Sequence, residues 1–180
     1  MPVAEEEFEP SHPAGFAEQN MDTSQPKDQH FTIYYGDTGY SYEKLFGAYL
    51  KGAQTVSVED SYIRLPHQIQ NFIRFCELMV KLHDVKTINL VTGFDGKDQK
   101  EEIVEKFSIL QKSLKEHGID FNYKFSDTVH DREIRLDNGW IIKIGRGFDI
   151  YQKPEDWFSI GSSDFDLRPC LETKVDIYRS

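Results

Sequence analysis

The chain has 180 residues, including 13 Phe, nine Tyr and two Trp: enough for one ordinary packed domain and too few for two large ones. No run approaches the 18 apolar residues of a membrane span, and the opening MPVAEEEFEP has neither the basic nor the apolar region of a secretory signal. The formal charge of −10 divides into −6 over residues 1–30 and −4 over residues 31–180, a mildly acidic body that argues against a broad nucleic-acid footprint but leaves room for a local basic cleft.

In chain order, residues 1–29 combine Pro, Ser, Gln and acids with little apolar material, so they cannot bury enough surface to offset chain entropy. They are expected to be a disordered acidic tail, or a linker to a fused or partner domain. Residues 30–180 form the globular part. Phe31–Tyr35 is β-branched and aromatic and precedes a Gly36-Asp37-Thr38-Gly39 turn. Ser41–Leu50 reads as a short helix stopped by Gly52, and Gln54–Val58 alternates like a strand. Pro66 suits the first turn of a helix. That helix carries Ile69, Phe72, Ile73, Cys76, Met79 and Val80 on one face, and Phe75, Leu78 and Leu82 as a second stripe. Two covered sides are therefore expected, by a sheet and by a neighbouring helix, with a dimer contact as the alternative.

Lys86–Val91 is a further strand, and Asp98 with Glu101 resembles a capping box at the start of the next helix. Ile103, Phe107, Leu110 and Leu114 repeat on one face of it before Gly118 ends it. Ile119–Phe125 alternates again. After Phe125 the helical periodicity vanishes, and Arg132–Leu136, Trp140–Ile144 and Lys174–Tyr178 read as extra strands towards the C-terminus. Alternating strands and helices followed by strands predict an α/β fold with a mostly parallel sheet flanked by helices. The two cysteines, Cys76 and Cys170, have no metal-ligand spacing and read as reduced and structural in a cytoplasmic protein. No cluster of metal ligands and no cofactor motif is apparent.

Ligands in such sheets gather beyond the carboxyl ends of the strands. Two segments fall there, Glu59-Asp60-Ser61-Tyr62-Ile63-Arg64 and Val129–Trp140. The second contains His130-x-Arg132-x-x-x-x-Asp137, the spacing of the phospholipase D signature HxKxxxxD with Arg in place of Lys. In that chemistry a histidine attacks phosphorus or protonates the leaving oxygen, a cation holds the phosphoryl oxygens and an acid orients the imidazole. Gly145-Arg146-Gly147 stands near where that superfamily carries Gly-Ser-x-Asn, one residue further along and without the Ser and Asn. The catalytic trio would be His130, Arg132 and Asp137. Only one such motif is present, so a phosphodiesterase or nuclease would have to complete its site across a homodimer.

The segments Tyr42–Phe46, Glu59–Arg64, Asn71–Glu77, His130–Arg135, Asn138–Gly147 and Asp164–Cys170 resemble the MIT_C family of phospholipase-D-like domains, over about residues 40–178. The resemblance implies a phospholipase-D-like fold in a dimeric domain that binds acidic, phosphoinositide-containing membranes without hydrolysing them, and so a peripheral membrane association. In that family the domain follows a helical bundle that recruits ESCRT-III. Residues 1–29 are too short and polar for such a bundle, so that partner is not expected to carry over. Asp137 stands where the animal domain of this family carries Asn, which leaves the phospholipase D trio here more complete. On the binding reading, Arg132, Arg135, Lys143 and Arg146 supply cations to a phosphate-bearing ligand and His130 and Asp137 are structural. The bland alternative makes these four cations a solvated face with salt bridges to Asp131, Glu133 and Asp149. A docking domain is a third reading, in which Asp164–Cys170 braces the last strand and Arg168 pairs with Asp164 or Asp166.

Overall fold

The computed structural model describes residues 25–180, so most of the acidic segment expected as a tail lies outside the described residues. Gln29, placed in that segment by composition, already belongs to the first strand. The elements are β1 (Gln29–Ile33), α1 (Tyr42–Leu50), β2 (Thr55–Glu59), α2 (Pro66–Leu82), β3 (Thr87–Thr92), α3 (Gly96–Glu116), β4 (Asp120–Phe125), β5 (Glu133–Leu136), β6 (Trp140–Ile144) and β7 (Thr173–Arg179). The helices start where local chemistry dictates. Ser41 caps α1 by accepting the Lys44 N–H at 3.3 Å. Pro66 opens α2, with Gln68 accepting the Leu65 N–H at 3.0 Å.

The start of α3 differs from expectation. The helix begins two residues before Asp98, and Gln99, not Glu101, reaches back to accept the Asp95 N–H at 2.5 Å. Gly96, at φ 79, turns the chain into the helix earlier than the apolar spacing suggests.

The seven strands form one sheet in the order β1-β7-β6-β5-β2-β3-β4. Only β2-β3 and β3-β4 are parallel; the other four pairings are antiparallel. The α/β class stands, but the parallel character expected of most of the sheet is confined to the two crossovers that carry α2 and α3. The difference comes from the helix-free run β5, β6 and β7, which joins the sheet antiparallel, and from strand β1. That strand does not pair with β2 but crosses to the far edge, antiparallel to β7.

All three helices pack on one face, where Val56, Val58, Ile88, Leu90, Phe121, Ile134, Ile142 and Ile177 meet them in a single core. The second stripe of α2 is used within the chain: Phe75 meets Phe46 of α1 edge-on at 5.6 Å. The neighbouring-helix expectation therefore holds for that stripe. The other sheet face is polar and carries no helix among the described residues. Pairing directions make β1, β2, β3, β4 and β6 run the same way, so the loops after all five gather at one edge of the sheet. Among the described residues no helix is long and apolar enough to cross a membrane. Both cysteines are free and buried; burial raises the Cys76 thiol and pushes Cys170 up to about 12.

Candidate functional site

The loop edge is organised around one buried carboxylate. Asp60 follows the last residue of β2, is 2% exposed, and receives Arg132 Nε at 3.0 Å and the Tyr62 N–H at 2.9 Å on Oδ1. Burial raises its carboxyl, with Arg132 pulling the other way. Arg132 sits one residue before β5 and reaches back over the end of β2. The space it occupies exists because residue 147 is glycine. A Cβ there would collide with Asp60 Oδ2 and lie 2.7 Å from Arg132 Nε, and the φ of +60 is one that side chains disfavour. Beneath the pair lies a void of about 10 Å³, room for one water at most.

On the solvent side, the Arg132 guanidinium carbon stands 5.1 Å from the centroid of the Tyr62 ring, and that of Arg64 stands 5.0 Å from it. Two cations thus meet one exposed aromatic. Arg64 has no carboxylate partner among the described residues. Nearby, His67 Nε2 lies 3.7 Å from Asp149, and Arg146 Nε donates to the Asp149 carbonyl at 2.9 Å.

The residues singled out by the motif do not assemble. His130 is exposed in the loop before β5, on the carboxyl side of β2. Asp137 lies at the other end of β5, where its carboxylate accepts the Gln54 N–H at 2.9 Å and its own N–H donates to Thr55. The register of β5 against β2, Glu133 with Glu59 and Leu136 with Val56, puts the length of the strand between them. Within one chain Asp137 does not orient the imidazole of His130.

The four cations of the binding reading also separate. Arg135 and Lys143 project from the helix-free sheet face onto Glu133, at 3.1 and 3.9 Å. Glu133 is nearly buried and lies directly across the ladder from Glu59, a repulsive pairing that these two cations offset. Contact with Glu133 raises the Arg135 pKa; Tyr178 first, then Asp131 and Glu133, raise that of Lys143. Of the expected salt bridges, the one to Glu133 is present. Asp149 receives Arg146 through its carbonyl, not its carboxylate.

Arg168 does not pair with Asp164 or Asp166. Its guanidinium donates to three carbonyls, of Gly161 at 2.5 Å, Ser162 at 2.8 Å and Gln152 at 3.3 Å. Asp166 instead accepts the Ser41 N–H and faces Lys44, and Asp164 caps the Asp166 N–H. A buried arginine can satisfy its fork on a tight loop as well as on an acid.

Among the described residues no group of acids, histidines or cysteines is arranged to hold a metal. Asp60, Tyr62 and Arg64 did not enter the site from the histidine motif. The signal that placed them was position alone, directly after β2, where the parallel run meets antiparallel β5.

A mixed sheet with its loops at one edge, a buried Asp60–Arg132 pair and a solitary histidine half-motif describe a phospholipase-D-like domain. The chain belongs to the family described as "Phospholipase D-like domain at C-terminus of MIT", whose model matches residues 39–179. It is 48% identical over 148 residues to mouse MIT domain-containing protein 1, which aligns with 79% of this chain; the chain spans 58% of that relative's length. Among solved structures, phosphatidylserine synthase of Haemophilus influenzae aligns with 84% of this chain and 34% of its own, with 12% identity and a TM-score of 0.44.

Proposed function

We propose that the domain is a non-catalytic binding module that takes a phosphate-bearing anion, as displayed by phosphoinositide headgroups on a membrane surface, at the edge where Arg64 and Arg132 meet Tyr62. The observation that carries this reading is the state of the two guanidinium groups. Arg132 is fixed by Asp60, while Arg64 has a ring for a neighbour and no carboxylate among the described residues, so it is available to a ligand. Hydrolysis is disfavoured by the separation of Asp137 from His130 along β5. Carboxylates outnumber cations in the loops at this edge, so recognition is local and short-ranged and not a product of overall field. The family likeness adds a homodimer to the proposal, which sedimentation equilibrium tests directly.

Flotation with vesicles of phosphatidylcholine alone, or with a phosphoinositide added, tests the ligand. The expected result is preference for the anionic vesicles, reduced about fivefold by Arg64→Ala, since one cation near an anionic surface contributes about 1 kcal/mol. Equal partitioning to both vesicles refutes it. So does turnover of a phosphodiester that is lost in His130→Ala.

A further inference from the structure

The loop 152–169, between β6 and β7, exposes Trp157 by 66%, Phe158 by 98% and Ile160 by 85%. These are not side chains of a frayed segment. Asp156 accepts the Phe158 N–H at 2.8 Å on its carboxylate and the Ser159 hydroxyl at 2.6 Å on its carbonyl. Arg168, only 5% exposed and without a carboxylate partner among the described residues, ties the base through Gly161, Ser162 and Gln152. Gly161, at φ +92, allows the close pass: a Cβ there would lie 2.9 Å from the Leu167 carbonyl. A domain that commits a buried arginine to hold three large apolar side chains in water has a use for them there.

Their neighbours indicate the use. Ten bulky apolar residues are exposed among the described residues, and nine of them lie on the loops of the one edge that carries Arg64 and Tyr62; Ile109 is the exception. Tyrosines 34, 35 and 62 and Phe94 are spread along that edge, whereas the depression lined by Lys112, Lys115 and Asp120 is at the opposite end. A protruding tip set in a broad band of aromatic residues matches a lipid interface, where Trp and Tyr settle at headgroup depth, better than it matches one pocket of a protein.

We propose that loop 152–169 is a preformed membrane anchor whose Trp157, Phe158 and Ile160 enter the interfacial layer of a bilayer while Arg168 holds the loop in shape. The inference rests on the membrane-surface reading above only in sharing its edge. Glu155, Asp156 and Asp164 flank the tip and repel anionic lipid, so the anchor seats through apolar burial and salt does not weaken it, whereas the Arg64 contact weakens as salt rises.

The chain contains a convenient reporter. Its two tryptophans differ in exposure: Trp140 is buried against Tyr49, with ring centroids 5.0 Å apart, so a response to lipid reports Trp157. The intact chain is mixed with vesicles of phosphatidylcholine, with or without phosphoinositide, carrying brominated acyl chains. Expected are a blue shift and quenching of Trp157, and at least a tenfold loss of partitioning in Phe158→Ser/Ile160→Ser with an unchanged melting temperature. Quenching that persists equally on neutral vesicles supports the anchor while refuting the headgroup site. Flotation with anionic vesicles while Trp157 stays unshifted and unquenched overturns the anchor and leaves the headgroup site standing. A blue shift that appears with rising protein concentration in the absence of lipid, together with a dimer in sedimentation, assigns the tip to a second copy and also overturns it.

Discussion

Replacing Gly147 by alanine tests the architecture of the loop edge most directly. The residue has φ +60, which costs a non-glycine residue roughly 1–2 kcal/mol. The new methyl would also stand 2.7 Å from Arg132 Nε and 2.9 Å from its terminal nitrogen, besides meeting Asp60 Oδ2. The pair must shift to admit it. Breaking a buried pair costs about 3–5 kcal/mol, and since the Arg132 side chain is 18% exposed the lower end applies. The expected loss is therefore about 4–5 kcal/mol. Gly139→Ala is the matched control: its φ is +98, but nothing lies within 4 Å of the added Cβ, so only backbone strain of about 1–2 kcal/mol is expected. Urea unfolding followed by circular dichroism reads both losses, and with the strain common to the two a difference of about 3 kcal/mol at about 2–4 °C per kcal/mol should part their melting temperatures, read by thermal unfolding, by roughly 6–12 °C. If Gly147→Ala is no more damaging than Gly139→Ala, the close packing of Gly147 on the Asp60–Arg132 pair does not organise this edge.

Other substitutions separate the remaining roles. Asp137→Asn keeps an acceptor for the Gln54 N–H and should change stability by less than about 1 kcal/mol in the same denaturation assay, while Asp137→Ala loses that bond and costs about 1 kcal/mol. A large effect of Asp137→Asn on phosphodiester turnover would contradict a structural Asp137. Arg168→Met leaves three carbonyls without their donor, and limited proteolysis should then cut within residues 155–163 at least tenfold faster than in the parent; an unchanged rate would remove Arg168 as the brace of that loop. Cys76 and Cys170 are buried with raised thiol pKa values, so Ellman's reagent should detect neither in the native protein and both after unfolding. A native thiol that reacts promptly at neutral pH would contradict the packing around it.

Much of the fold was legible because burial imposes a period. Trp140–Ile144 is a strand with the bounds that its apolar run suggests, and Pro66 opens α2 where its fixed φ fits. Pairing was not legible. Nothing local in Phe31–Ile33 distinguishes a strand that joins β2 from one that crosses to β7, because the choice is made by contacts some 140 residues away. The site was half legible for the same reason. The spacing from His130 to Asp137 suggests one shared site, although Arg132–Leu136 already reads as a strand, and the register of β5 against β2 shows that this strand holds them at opposite ends. Arg168 has acids two and four residues before it in sequence, yet it turns to carbonyls that only the closed loop brings near. The exposure of Trp157, Phe158 and Ile160 has no sequence signal either, since a core strand and a protruding tip draw on the same residue types.

The position of β1 has a consequence for how the domain is made. Among the described residues it pairs only with β7, the last of the described strands, while Tyr49 makes shorter-range ties, donating to the Lys27 carbonyl and accepting from Asn138 on its own carbonyl. On a ribosome, β1 therefore waits for β7 before its ladder can form, while β2, β3 and β4 with their two crossover helices can close early. The nascent chain carries β1 without its ladder until β7 has been made, and the half of the sheet that completes late is the half that presents the apolar tip.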